Sequence, residues 1–158
     1  MISLIQKLTC QYPNSKGSIL EDKSISWIEW NDSLSMHNPE IDAEHQHFIK
    51  LVNELNEAII TRMNKKEIKT RMRAILDDAL MHFAHEEALL KEWDYPEVEI
   101  HTQKHHQITA LLNEIMKSID RGKMEHGWLE AGLEIRKVLI QHLLKEDMKY
   151  RDYHAKQG

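Results

Sequence analysis

Two stretches of this chain space histidine and glutamate as metal ligands. In His82-Phe83-Ala84-His85-Glu86-Glu87, His82 and Glu86 are four residues apart, and in His101-Thr102-Gln103-Lys104-His105 the two end histidines are four apart. Residues four apart on an α-helix stand about 40° from each other around its axis, so each pair can grip one centre from a single helix face. Tyr95-Pro96 separates the two stretches and marks a turn between two helices. One such pair is weak evidence. Two pairs across a turn, in a chain with 11 histidines, point to a metal site.

The elements that would position these groups are legible in the spacing of apolar residues. Four segments carry a stripe at alternating steps of three and four, the pattern of a half-buried helix. The first, about 41–63, aligns Ile41, His45, Phe48, Val52, Leu55 and Ile59. The second, about 66–92, aligns Ile68, Met72, Ile75, Ala79, His82, Glu86 and Leu89. The third, about 97–119, aligns Val98, His101, His105, Ile108, Leu112, Ile115 and Ile119. The fourth, about 125–150, aligns Trp128, Gly132, Ile135, Leu139 and His142. Short connections at Asn64, Asp94-Tyr95-Pro96 and Arg121-Gly122-Lys123 make successive helices antiparallel neighbours. The expected fold is all-α: an up-down-up-down antiparallel four-helix bundle over 25–158, behind an N-terminal extension of residues 1–24.

That topology makes the polar interruptions of the stripes agree with one another. His45 lies near the start of the first helix, and His101 and His105 near the start of the third. His82 and Glu86 lie near the end of the second, and His142 and Asp147 near the end of the fourth. Starts of odd helices and ends of even ones share one end of such a bundle. At the helical rise, all seven groups fall on the order of 6–15 Å in from that end. Asp147 is the irregular member, because a step of five from His142 places it about 140° away on an ideal helix. A local π-bulge would bring it inward.

Composition supports this reading and removes others. Five Gly and three Pro, with 30% charged and 41% hydrophobic residues, are the balance of a helical protein. A net charge of -5 offers no basic stripe for a phosphate backbone, so no nucleic-acid partner is expected. No apolar run reaches membrane-spanning length, and Met1 to Leu8 reads as a short amphipathic helix too interrupted for a signal peptide. Cys10 is the single cysteine, which excludes an intrachain disulfide and suits a cytoplasmic location. Around Ser24 to Trp30 an extended arm is expected, with Trp27, Ile28 and Trp30 covering one end of the bundle, before Asn38-Pro39 opens the first helix.

Five imidazoles and two carboxylates without a thiolate are too many ligands for one ordinary site. They suit two borderline metal ions bridged by carboxylates, with iron the natural choice. Buried ionisable groups without a metal partner would be costly. If Glu86 and Asp147 bridge the pair together with one solvent oxygen, the ion held by three histidines reaches six ligands and the other reaches five. One position stays open for a diatomic.

Pro39-Glu40-Ile41-Asp42-Ala43-Glu44-His45, the stretch from His82 to Glu87, Tyr95-Pro96 followed by His101 and His105, and His142 to Asp147 together resemble the hemerythrin family, its bacterial members in particular. The resemblance spans roughly residues 30–153. It implies a non-haem centre of two Fe ions, oxo- or hydroxo-bridged, that binds O2 reversibly. By that resemblance His101, His105 and His142 hold one iron, His45 and His82 hold the other, and Glu86 and Asp147 bridge them. The chain departs from the family where Glu44 stands in place of a common Gln and Val138 in place of a frequent aromatic. Val138 is expected to loosen the pocket around bound O2.

Phe83, Leu139 and Leu143 flank the ligands and are the candidates for an apolar O2 pocket. Asp42 reads as a cap, or as a group that supports a ligand from behind, rather than as a ligand. His47 and His106 lie well around the helix from the ligands, about 200° and 100°, and should face solvent or an interface; His85, about 60° from His82, is placed to touch a ligand's neighbour. The functional expectation is O2 storage, transport or delivery rather than catalysis, by a monomer or homo-oligomer. The competing reading is an enzyme or sensor that acts on O2, peroxide or NO with the same centre. Di-iron oxidases of ferritin-like bundles use four carboxylates and two histidines, and the more neutral set here favours binding.

Overall fold

The computed structural model of the chain describes residues 27–121 and 127–156, with the side chains of Trp128 and Leu129 excepted. The expected helix at Met1–Leu8, the extension 1–24 and the Gly122-Lys123 turn lie outside the described residues. Four long helices form the bundle: α1 (Pro39–Ile60), α2 (Lys65–Glu92), α3 (Val98–Asp120) and α4 (Trp128–His142). After a π-helical segment at Leu143–Asp147 the last rod continues as α5 (Met148–His154), and a single 3-10 turn at Asp32–Leu34 precedes α1. Packing runs α1 on α2, α2 on α3, α3 on α4 and α4 back on α1, the closed ring of an antiparallel bundle. Among the described residues no helix is long and apolar enough to cross a membrane.

Local chemistry sets the helix ends. The Asn38 side chain accepts from the Glu40 and Ile41 amides while Pro39 occupies the first turn, where its missing N–H goes unnoticed. Asn64 caps α2 by accepting from the Glu67 amide. Helices α1 and α2 both stop in the same way. Arg62 (φ 54°) and Asp94 (φ 49°) turn left-handed. Met63 N then donates to Ala58 O and Tyr95 N to Leu90 O, each at 2.9 Å. This Schellman closure usually employs glycine. Asp tolerates the conformation better than Arg, and the chain closes both turns without spending any of its few glycines there.

Gly132 has a different use. A Cβ built there would collide with Ile59 Cδ1, so its absence lets α4 approach α1 closely. The close approach offsets the roughly 1 kcal/mol that glycine costs a helix interior.

The core divides into two clusters. The larger is built from residues such as Phe48, Val52, Met72, Ile75, Leu112, Ile115 and Ile135 and fills most of the bundle. The smaller comprises Met36, Ile41, Leu90, Tyr95, Leu143 and Tyr150 and closes the end where α2 meets α3. Between them lies a layer of buried polar side chains.

The segment before α1 differs from the expected end cover. Ile28 packs against the large core, while Trp27 is 61% exposed. The segment is held along α1 by Asn53, whose side chain accepts from Ile28 N (2.9 Å) and donates to Ile28 O (2.8 Å). A buried carboxamide satisfied by one backbone unit fixes the position more firmly than a tryptophan in contact with water. Further along, Asp42 accepts from Ser35 Oγ and Met36 N, both at 2.6 Å, pinning the preceding segment to the first turn of α1, whose cap is Asn38 rather than Asp42. Asn53→Ala should lower unfolding stability by about 1–3 kcal/mol through the lost bonds and orphaned backbone groups. Denaturant unfolding measures this, and metal content should not change.

Candidate metal centre

Seven side chains form the polar layer: His45, His82, Glu86, His101, His105, His142 and Asp147, each with 8% exposure or less. The level expected from the bundle topology is the level at which they meet. Asp147 reaches it through the π-helical segment, which inserts one residue into the turn and rotates the carboxylate inward. Leu143 and Asp147 are the buried residues of that segment.

Their ligand atoms fall into two sets that share both carboxylates. His101, His105 and His142 gather with Glu86 and Asp147, and His45 and His82 gather with the same two acids; within each set the atoms lie within 4.8 Å of one another. Each acid also offers a separate oxygen to each set. Glu86 Oε2 stands 2.9 Å from His101 Nε2 and 3.0 Å from His105 Nε2, while its Oε1 faces His82 Nε2 at 3.9 Å. Asp147 Oδ1 stands 3.1 Å from His142 Nε2, and its Oδ2 faces His45 Nε2 at 3.6 Å. The imidazole nitrogens converge in the same way: His45 and His82 Nε2 are 3.1 Å apart, and His105 and His142 Nε2 are 2.9 Å apart. Glu86 Oε1 and Asp147 Oδ1 have no hydrogen-bond donor. Orphaned buried oxygens facing clustered imidazole nitrogens fit a pair of cations, and the nitrogen and carboxylate donors fit iron.

Outer nitrogens of two of these rings are anchored. His82 Nδ1 donates to Glu44 at 2.8 Å and His105 Nδ1 donates to Glu87 at 2.8 Å. Such carboxylates fix the ring so that Nε2 points inward, and they strengthen it as a ligand. Glu44 is itself held by His85 Nδ1 at 2.7 Å. Its charge is therefore used where the family's common Gln would offer only a neutral acceptor. Among the described residues His47 is exposed and pairs with Asp78, His106 is exposed, and His154 stacks on Trp93, all apart from the layer.

Burial pulls the His82 imidazolium down, but its bond to Glu44 and the charges of Glu86 and Asp147 outweigh this and push it up to about 9. Burial holds its neighbour His45 below the ordinary range. Burial opposes the Glu86 charge as well, yet the bonds from His101 and His105 carry it well below the usual carboxylate range.

Beside the layer is a cavity of about 20 Å³, lined by His45, Phe48, Ala79, His82, Phe83, Leu139, His142, Leu143 and Asp147, which has room for about one water-sized molecule. All three pocket candidates line it. Phe48 and Ala79 also do, and both lie in the apolar stripes without anything in the sequence to set them apart. Val138, expected to affect this pocket, packs against the core at a position that does not line the cavity.

Sequence reasoning also passed over Tyr150. It is 1% exposed, and the Glu86 carboxylate faces its hydroxyl, although the hydroxyl has no partner at hydrogen-bond geometry. Its position three residues after Asp147 was the available signal.

Residues 36–153 match the hemerythrin HHE cation binding domain. The chain belongs to the hemerythrin family. Among its hemerythrin relatives, a bacteriohemerythrin of Campylobacter jejuni is 29% identical over 122 residues, covering 77% of this chain and 90% of that protein. A bacteriohemerythrin of Ralstonia nicotianae is 24% identical over 131 residues, covering 83% and 91%. Myohemerythrin-1 of Phascolopsis gouldii is 25% identical over 122 residues, covering 77% and 90%. The hemerythrin match takes in all seven buried ligand candidates and ends before residue 154.

For the iron-free chain the raised His82 gives a pH dependence of definite sign. Its stabilisation is complete below the ordinary pKa of 6.5 and is lost as pH rises through about 9. Thermal unfolding of the iron-free protein should therefore show a melting temperature that falls between those values, and His82→Gln should flatten the fall. A melting temperature that rises over this interval in both proteins contradicts the assignment.

Proposed function

We propose that this chain binds O2 reversibly, as a store or carrier, at a non-haem di-iron centre held by His45, His82, Glu86, His101, His105, His142 and Asp147. The observation that carries the proposal is the sharing of Glu86 and Asp147 between a set of three histidines and a set of two. Equal carboxylate sharing with unequal histidine numbers leaves the two-histidine side one ligand short. The cavity borders both histidines of that side, His45 and His82, and only His142 of the other three.

A pair of irons held there would supply the redox chemistry for reversible binding of a diatomic. The protein's own part is to hold that binding reversible. Phe48, Phe83, Leu139 and Leu143 present apolar walls, so neither water nor an anion has a polar partner there beyond the ligands. Phe83 also stacks on His105 at a centroid distance of 3.9 Å, which fixes that ring. Glu44 and Glu87 keep His82 and His105 turned toward the metals. The apolar wall and the mainly neutral donor set favour a binding protein over an enzyme, and the lone Cys10 supports a cytoplasmic setting.

The test is anaerobic reduction of the iron-loaded protein followed by air, with visible spectra and iron per chain. We expect two irons and a charge-transfer band that appears in air and disappears under argon. Direct passage to the oxidised form with no adduct, or catalytic turnover of peroxide without reversible O2 binding, supports the enzyme instead. Leu143→Asn brings a polar group to the cavity wall and should speed autoxidation on the order of tenfold, the effect of a barrier lowered by about 1.4 kcal/mol. An unchanged rate argues against the apolar wall as the protecting element.

A further inference from the structure

The described residues contain three tyrosines, and all three gather with Trp93 at the metal end of the bundle. The Tyr150 ring meets His101 edge-on at a centroid distance of 5.7 Å. From Tyr150 the contacts fork to Trp93 at 6.1 Å and Tyr95 at 6.4 Å, and Tyr95 continues to Tyr153 at 5.3 Å. Burial decreases along this series: Tyr150 and Tyr95 are 1% and 6% exposed, whereas Trp93 and Tyr153 are only half-buried. An unbroken run of oxidisable rings thus leads from a metal-binding histidine to solvent. Packing alone would be met as well by phenylalanine and leucine, which do not need hydroxyls. Two of these hydroxyls have a carboxylate as neighbour: Tyr150 faces Glu86, and Tyr95 Oη stands 3.5 Å from Glu97 Oε2. The third, Tyr153, donates to Asp94 O at 3.2 Å.

We propose that this series is an outlet through which oxidising equivalents generated at the centre by hydrogen peroxide leave for the surface, in place of damage to the ligands. The inference rests on the di-iron reading above. Hydrogen peroxide is the oxidant. Its O–O bond breaks, and two electrons and two protons complete two water molecules. Tyr150 supplies one electron and its phenolic proton, Trp93 or Tyr95 supplies the second electron and proton, and both protons end on the two peroxide oxygens. The sum is one peroxide and two aromatic residues giving two waters and two neutral aromatic radicals. Radicals at Trp93 and Tyr153 lie where a one-electron donor of the thiol or phenol class can restore the rings from solution. Electron transfer through protein weakens steeply with distance, so removal of the innermost ring should interrupt the series.

The experiment treats the full iron-loaded chain, Tyr150→Phe and Trp93→Phe with hydrogen peroxide. Iron per chain and reversible O2 binding are measured first on each. Oxidation is then mapped residue by residue by mass spectrometry, with freeze-quench EPR for radicals. In the unsubstituted chain we expect iron-dependent oxidation concentrated at Trp93 and Tyr153. Tyr150→Phe, which keeps the ring volume, should cut that oxidation severalfold and move damage to the ligand histidines, with earlier loss of iron. Trp93→Phe should raise oxidation at Tyr95 and Tyr153. Unchanged oxidation at Trp93 and Tyr153 in Tyr150→Phe overturns the outlet, as does equal oxidation in the iron-free chain. If two irons and reversible O2 binding are found without oxidised aromatics, the outlet fails alone; if iron is not held, it falls with the di-iron reading.

Discussion

Seven ionisable side chains buried at one level are the constraint on which this molecule turns. An isolated carboxylate or imidazolium away from water carries a penalty large enough to shift its protonation or disrupt the fold. Here each group is answered by another: Glu86 by His101 and His105, Asp147 by His142 and His45, His82 by Glu44. Two cations that share both acids would satisfy the set more completely than these pairings do, since oxygens of Glu86 and Asp147 remain without donors. Metal binding and bundle stability are therefore linked, as expected when ligands come from every helix.

The remaining architecture serves that layer. Apolar clusters lie above and below it, and each helix delivers its ligands within ten residues of an end. The Schellman turns at Arg62 and Asp94 keep α1, α2 and α3 closely joined, so their registers cannot slide independently. The π-helical segment meets a local need: four helical rods with ordinary geometry would bring six of the groups inward and leave Asp147 to one side. One inserted residue corrects this and also sets Tyr150 behind Glu86.

Much of this was legible in the chain. Apolar steps of three and four gave four helices, and Asn38-Pro39, Asn64 and Tyr95-Pro96 placed their ends closely. The level of the ligands followed from topology alone, and the five-residue step from His142 to Asp147 implied the bulge. Other features had no one-dimensional signature. Phe48 and Ala79 line the cavity because of how α1 meets α2, and nothing marks them apart from Val52 or Ile75 in the sequence. The grip of Asn53 on Ile28 joins residues 25 apart, beyond any local pattern, which is why Trp27 was expected to cover the bundle. Glu44 was visible only as a departure from the family's Gln, because the partnership with His82 and His85 crosses from α1 to α2.

The most direct test of the account is the magnetic state of the oxidised, iron-loaded protein, followed by Mössbauer spectroscopy and EPR with iron counted per chain. Glu86 and Asp147 acting as shared ligands predict two irons per chain whose spins are coupled through the bridges, with no EPR signal from the oxidised pair. Two isolated ferric signals, or a single iron per chain, would contradict the shared-carboxylate centre.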